Sequence, residues 1–283
     1  MFGIALVDKP QGLSSHDAIY RARRALGIRK IGHAGTLDPN ATGLLVMAIG
    51  HATRFLPYLR LEPKVYEGTA KLGTSTTTQD SEGEPVWVGL VGDITFVDIE
   101  SAACQFVGEI QQIPPMYSAI QIDGQRLYKI ARKGGEVERP TRTISVKSFE
   151  ITGYEDETFS FRIVCSGGTY VRTLAHDLGA VLGVGAHLTE LRRTGAGDFS
   201  VQDAVPPVDL SEASLMPLEA ALPHIPAVRL PQPATEAARH GNDFHYAADV
   251  SGDRLLLLDD SGVFAIAARL DGSTWRPERV IPA

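Results

Sequence analysis

Gly32-His33-Ala34-Gly35-Thr36-Leu37-Asp38-Pro39-Asn40-Ala41-Thr42-Gly43 runs directly into an apolar stretch over residues 44–49. Gly, Pro, Thr and Asn make the first part a loop, because each favours a turn for its own reason: a free φ, a fixed φ, or a side chain that bonds its own backbone. One carboxylate, Asp38, sits inside it. The apolar stretch reads as a buried strand. A loop anchored in this way presents its acid at the mouth of a cleft. On loop chemistry alone, the same Asp is equally a plain turn residue.

Upstream of this loop, residues 2–7 read as a strand. Ser14 or Ser15 then caps a helix to Leu26 with Ala18, Ile19, Ala22 and Leu26 on one stripe. Gly27 stops it, and Arg21 and Arg24 face outward. Downstream, 51–59 reads as a short helix, 64–72 as a strand and 73–85 as a loop in which residues 76–84 carry no assignable feature. Thr95 and Asp98 form a capping box for a helix through Phe106. Residues 117–122, the Asp123-Gly124 turn and 125–132 read strand, turn, helix, ended by Gly134-Gly135. Two antiparallel strands over 142–153 and 158–165 flank the acidic turn Glu155-Asp156-Glu157, and 170–182 is a helix. Prolines crowd residues 205–233 and mark a boundary. The remainder is strand-like, clearest at 254–258 and 263–268, and too small to bury a core without leaning on the first domain.

The 283 residues, 43% hydrophobic and 22% charged, suit one large or two modest domains. No apolar run approaches the roughly 20 residues that span a bilayer, and no leader pattern precedes the first strand, so a cytoplasmic protein is expected. Cys104 and Cys165 lack metal-ligand spacing and read as buried small hydrophobes in a reducing compartment. Asn40-Ala41-Thr42 fits a glycosylation sequon only formally. The net charge of -7 disfavours nucleic acid on average, but phosphate binding needs only a local patch. Two basic segments stand out: Lys9, Arg21, Arg23, Arg24, Arg29 and Lys30 in the first, and Arg126, Lys129, Arg132, Lys133, Arg139, Arg142 and Lys147 in the second. Walker and dinucleotide fingerprints are absent, as is a metal-ligand cluster.

The Asp38 loop closely resembles the catalytic-aspartate motif of the bacterial tRNA pseudouridine-55 synthases, the TruB family. Five further blocks resemble that family in its order: residues 3–16 with the Lys9-Pro10 turn, Lys64-Val65-Tyr66, Ile113-Pro114-Pro115-Met116-Tyr117-Ser118-Ala119, Cys165-Ser166-Gly167-Gly168-Thr169-Tyr170-Val171-Arg172-Thr173 and Ala186-His187-Leu188-Thr189-Glu190-Leu191-Arg192-Arg193. One departure is Gly167, where the family often has Lys. The resemblance implies an α+β pseudouridine synthase fold with a mixed, mainly antiparallel sheet flanked by helices over residues 1–228. A basic mobile insertion at about 124–142 and a small C-terminal β-rich PUA-like RNA-binding domain over 229–283 complete it.

The resemblance also implies a cofactor-free, metal-free isomerase that breaks the bond from ribose to N1 of uracil, turns the base and rejoins it through C5. Asp38 is then the nucleophile or base. Attack on the ribose carbon, addition to the ring and removal of a ribose proton all stay open. Arg172 is the implied partner of the carboxylate, and Tyr66 presents a ring to the uracil and a hydroxyl near C5. His33 is implied at the tRNA surface, filling the space left by the turned-out base, and Leu191 as an apolar floor. Tyr170 either contacts substrate or orients its strand end. Lys9 either supports the loop or meets a phosphate. Arg132, Lys133 and Arg142 are expected on the RNA backbone. The expected partner is the T-arm and elbow of tRNA, bound by a monomer without a guide RNA. A guide-dependent synthase and an RNA-binding or tRNA-folding factor, in which Asp38 is structural, are the alternatives.

Overall fold

A computed structural model of the chain describes residues 1–118, 121, 122, 125–127, 130, 135, 137–247 and 252–282. Strand β1 (Gly3–Lys9) leads into α1 (Ser15–Leu26). Ser14 and Asp17 close a capping box at the start of α1, and Gly27 ends it at a φ of 67°, a conformation that favours glycine. Ala18, Ile19 and Ala22 are buried while Arg21 and Arg24 are exposed. Strands β2 (Ile31–Ala34) and β3 (Thr42–Ile49) form a hairpin around the Asp38 loop.

The short helix expected here is present as a 3-10 helix (Gly50–Tyr58). Pro57 lacks the N–H that a regular helix needs there. β4 (Lys64–Leu72) follows. The segment expected to be a plain loop contains β5 (Thr74–Thr76), paired to β6 (Pro85–Val88). Next come α2 (Phe96–Cys104), with the Thr95–Asp98 capping box as read, and β7 (Gly108–Gln112). Short strands β8 (Gln121–Ile122) and β9 (Gln125–Arg126) make a hairpin, so residues 125 and 126 are extended rather than the opening of a helix. Arg132 and Lys133 lie outside the described residues.

Strands β10 (Arg142–Glu155) and β11 (Thr158–Cys165) pair antiparallel around Asp156 and Glu157. Helix α3 (Val171–Val181), β12 (Ala186–Ala196), β13 (Phe199–Ser200), β14 (Leu215–Met216) and α4 (Leu218–Ala221) complete the first unit. Among the described residues, its sheet runs β14-β1-β3-β12-β4-β11-β10-β7, with β2 on β3 and β13 on β12. Only the β3–β12 pairing is parallel, so the sheet is mixed and mainly antiparallel, as expected. At that junction Gly43 has a φ of 96°, and a Cβ there would lie 2.3 Å from the Arg193 carbonyl oxygen. Glycine is therefore what lets the two backbones meet.

The C-terminal sheet is formed by β15 (Ala227–Arg229), β17 (Arg254–Asp259), β18 (Gly262–Asp271), β19 (Thr274–Val280) and β16 (Phe244–His245), in that order, with α5 (Gln232–Arg239) against it. β15 straddles the boundary read between 228 and 229 and belongs to this sheet. One buried cluster unites Ile4, Leu44, Val46 and Phe55 with Leu256, Val263, Ile266 and Ile281. The small domain thus completes its core with the large one. Cys165 is buried as expected, but Cys104, on α2, is exposed. No helix among the described residues is long and apolar enough to cross a membrane.

Candidate active site

The Asp38 loop is fastened from beneath by buried groups. The Leu37 N–H donates to Ser15 Oγ at 2.9 Å, and that hydroxyl donates back to the Leu37 carbonyl at 3.0 Å. Lys9 is wholly buried, and its Nζ donates to the carbonyls of Pro10, Leu13 and Pro39 at 3.1, 2.7 and 3.1 Å. An ammonium has three donors, so Lys9 has none left for a phosphate. Of the two roles open to it in the sequence, support of the loop is the one these bonds describe. Burial lowers its pKa from 10.5 to about 8 against the pull of Asp38. With its backbone held, Asp38 keeps half of its side chain in solvent.

Arg172, in the first turn of α3, comes to meet that carboxylate. Its Nη2 lies 3.1 Å from Asp38 Oδ2 and donates to the Tyr117 carbonyl at 2.7 Å. Its Nη1 lies 3.2 Å from Asp80 Oδ2. The guanidinium is buried, so two carboxylates and a carbonyl fix it in one orientation. Tyr170, just before α3, has its N–H and carbonyl bound by the side-chain amide of Gln112 at 2.8 and 3.0 Å. Its ring is flanked by Arg142 and Arg172, whose guanidinium carbons lie 5.5 and 5.9 Å from the ring centre. Arg142 thus lies beside the site, packed on an aromatic ring.

A cavity of about 380 Å³ is lined by Asp38, Tyr66, Tyr170, Arg172, Leu191 and Lys64 among others. A larger groove of about 590 Å³, lined by Glu67, Arg162, Glu190 and Arg192, shares Leu191 but contains none of Asp38, Tyr66 and Arg172. The smaller cavity is the candidate site because acid, phenol and guanidinium converge there. Tyr66 is buried on β4, opposite Arg193 of β12. Burial raises the pKa of its hydroxyl, opposed chiefly by Arg193. His33, on β2, stands outside the cavity wall beside His16, with ring centres 6.2 Å apart. Burial lowers its pKa, with His16 adding to the effect.

The sequence reading passed over four residues. Asp80 sat in a Thr- and acid-rich run that read as loop, and Gln112 fell in a stretch given no reading; neither carries a local signal. Arg193 and Lys64 did carry one. In a strand, residues two apart share a face, so Leu191 places Arg193 inward and Tyr66 does the same for Lys64. Among the described residues, no three His, Cys, Asp or Glu side chains are grouped to hold a metal ion.

The chain matches the model of the TruB family pseudouridylate synthase N-terminal domain over residues 23–171 and that of the tRNA pseudouridylate synthase B C-terminal domain over 172–223. It is 50% identical over 230 residues to the tRNA pseudouridine synthase B of Opitutus terrae, covering 79% of this chain and 95% of that one. To the protein of the same name from Thermobifida fusca it is 43% identical, covering 96% of each. Among solved structures, a Cbf5-Nop10-Gar1 complex contains a chain that superposes with a TM-score of 0.72 at 28% identity, covering 99% of this chain and 85% of that chain.

Proposed function

The chain belongs to the TruB family of pseudouridylate synthases, and from that premise we propose that it converts the T-loop uridine at position 55 of tRNA to pseudouridine, with Asp38 acting at the glycosidic bond. The observation that carries this reading is the Asp38–Arg172 pair at the mouth of a cavity walled by Tyr66 and Leu191. Arg172 orients the carboxylate. Tyr66 offers its ring to the uracil and its hydroxyl to the C5 edge, and Leu191 supports the other side. A stacked uridine reaches this cavity only by turning out of the RNA, which costs a few kcal/mol. His33 and Tyr170 meet the RNA around the vacated space, and Arg142 meets the backbone. The basic segment containing Arg132 and Lys133 clasps the T-arm. The protein works as a monomer, without guide RNA or cofactor.

The test uses tRNA transcripts carrying tritium at uracil C5, with wild-type protein and Asp38→Asn. Wild type is expected to release tritium and leave pseudouridine at the T-loop position. Asp38→Asn is expected to bind the tRNA and release none. Tight binding with no release by wild type overturns the reading in favour of an RNA-binding factor or a guide-dependent synthase.

A further inference from the structure

The cavity is charged unevenly. At its mouth, Arg172 is matched by two acids, Asp38 and Asp80. Near Tyr66 stand two cations without such an acidic match, Lys64 on the cavity wall and Arg193 next to the Tyr66 hydroxyl. A Cβ built on Gly35 would lie 3.2 Å from both Lys64 Nζ and Arg193 Nη1, so both groups crowd the same face of the loop. Arg193 is wholly buried. Its Nε donates to the Leu44 carbonyl at 2.7 Å and its Nη2 to the Gly35 carbonyl at 2.8 Å, but Nη1 has no hydrogen-bond partner among the described residues. Lys64 lines the cavity and makes no hydrogen bond or ion pair within the described residues. Its nearest acidic influence, Glu62, is exposed. Burial lowers the pKa of Lys64, and Arg193 adds to the effect against Glu62 and Cys165. A half-buried cation beside a second cation is unfavourable unless an anion arrives.

Given the function proposed above, we propose that the Lys64 ammonium, backed by the Arg193 guanidinium, binds the negative charge that forms on the uracil ring during its detachment. When the bond from C1′ to N1 breaks, its electron pair leaves with the ring. The charge spreads over N1 and both carbonyl oxygens. C5 then gives its pair to C1′, the C5 proton leaves to a base, and N1 regains a proton, so the sum is an isomerisation. Each path open to Asp38 puts negative charge on the ring, and a fixed donor aimed at that charge lowers the barrier. Lys64 also makes the site favour a ring that can carry charge.

The experiment compares wild type, Lys64→Met and Lys64→Arg in single turnovers on tRNA with uridine, or with 5-fluorouridine, at the target position, and follows loss of the N1-linked nucleoside for both, because a ring with fluorine at C5 has no C5 proton to give up and stops short of the final product. Fluorine lets the ring bear negative charge with less help. Lys64→Met is expected to slow the uridine substrate about 100-fold with tRNA affinity within about twofold, and the 5-fluorouridine substrate at least about tenfold less severely. Lys64→Arg is expected to recover part of the rate. A weaker, less salt-dependent affinity with an unchanged rate overturns the proposal and makes Lys64 a phosphate contact. Equal losses on both substrates with a lowered thermal midpoint overturn it in favour of a structural role. A wild type that converts neither substrate overturns this proposal together with the proposed function, whereas a working wild type confines the failure to Lys64.

Discussion

Arg172 has three simultaneous holds, and one comes from a residue with no sequence signal. Asp80 sits on the opposite side of the guanidinium from Asp38. Replacing it with Asn keeps the shape and removes a charge, leaving Arg172 held firmly at Nη2 alone. Displacement of about 1 Å in a catalytic group costs on the order of 100-fold in rate. Asp80→Asn is therefore expected to lower single-turnover tritium release by about 10- to 100-fold with tRNA affinity within about twofold. Lost affinity at an unchanged rate would place Asp80 on the RNA instead. Lys9 makes a different prediction. Its pKa falls from 10.5 to about 8 on folding, so between those values the unfolded chain binds more protons than the folded one. Its contribution to stability is unfavourable and flat below about pH 8, then rises through pH 10.5 by on the order of 3 kcal/mol. Urea midpoints across that range are expected to rise for wild type relative to Lys9→Met, which lacks the titration. At this scale family likeness singled out Asp38, Tyr66 and Arg172, three residues that line one cavity. It did not show Asp80 or Gln112, because a side chain's long-range partner leaves no mark on its neighbours.

Elements with local punctuation were legible: the Thr95–Asp98 box and the Gly27 stop stand where they were read, and Ser14, one of the two cap candidates, caps α1. The β5–β6 pairing was not, because its strands are short and Val86, Trp87 and Val88 are all exposed, which erases alternation. The β10–β11 hairpin offers a test of local strain. Asp156 and Glu157 have φ values of 49° and 62°, a pair that suits Asn-Gly far better than Asp-Glu. Asp156→Asn with Glu157→Gly is expected to raise stability by about 0.5–1 kcal/mol without changing pseudouridine formation, read by urea unfolding and tritium release. A destabilised double variant would show that the two acids make a compensating contact elsewhere.

Across the whole molecule, the small domain cannot be treated as an appendage. Leu256 is wholly buried in a cluster shared with Ile4, Leu44 and Phe55. Leu256→Ala is expected to cost about 2–5 kcal/mol and to lower one common unfolding transition. Two separated calorimetric peaks, with only the smaller moved, would contradict the shared core. The proline-rich stretch was read as a boundary, but hydrophobic residues on both sides of it form one interior, since a composition change does not say what a chain packs onto. The order of the large sheet has a last consequence. β12 lies between β3 and β4 and pairs with both, parallel to the first and antiparallel to the second. Asp38 and Tyr66 precede it by well over a hundred residues, and nothing joins their strands until it inserts. The strands that carry Asp38 and Tyr66 to the cavity are therefore unpaired with one another until residues 186–196 lie between them. A chain that stops short of residue 186 lacks the strand on which the two halves of the sheet meet.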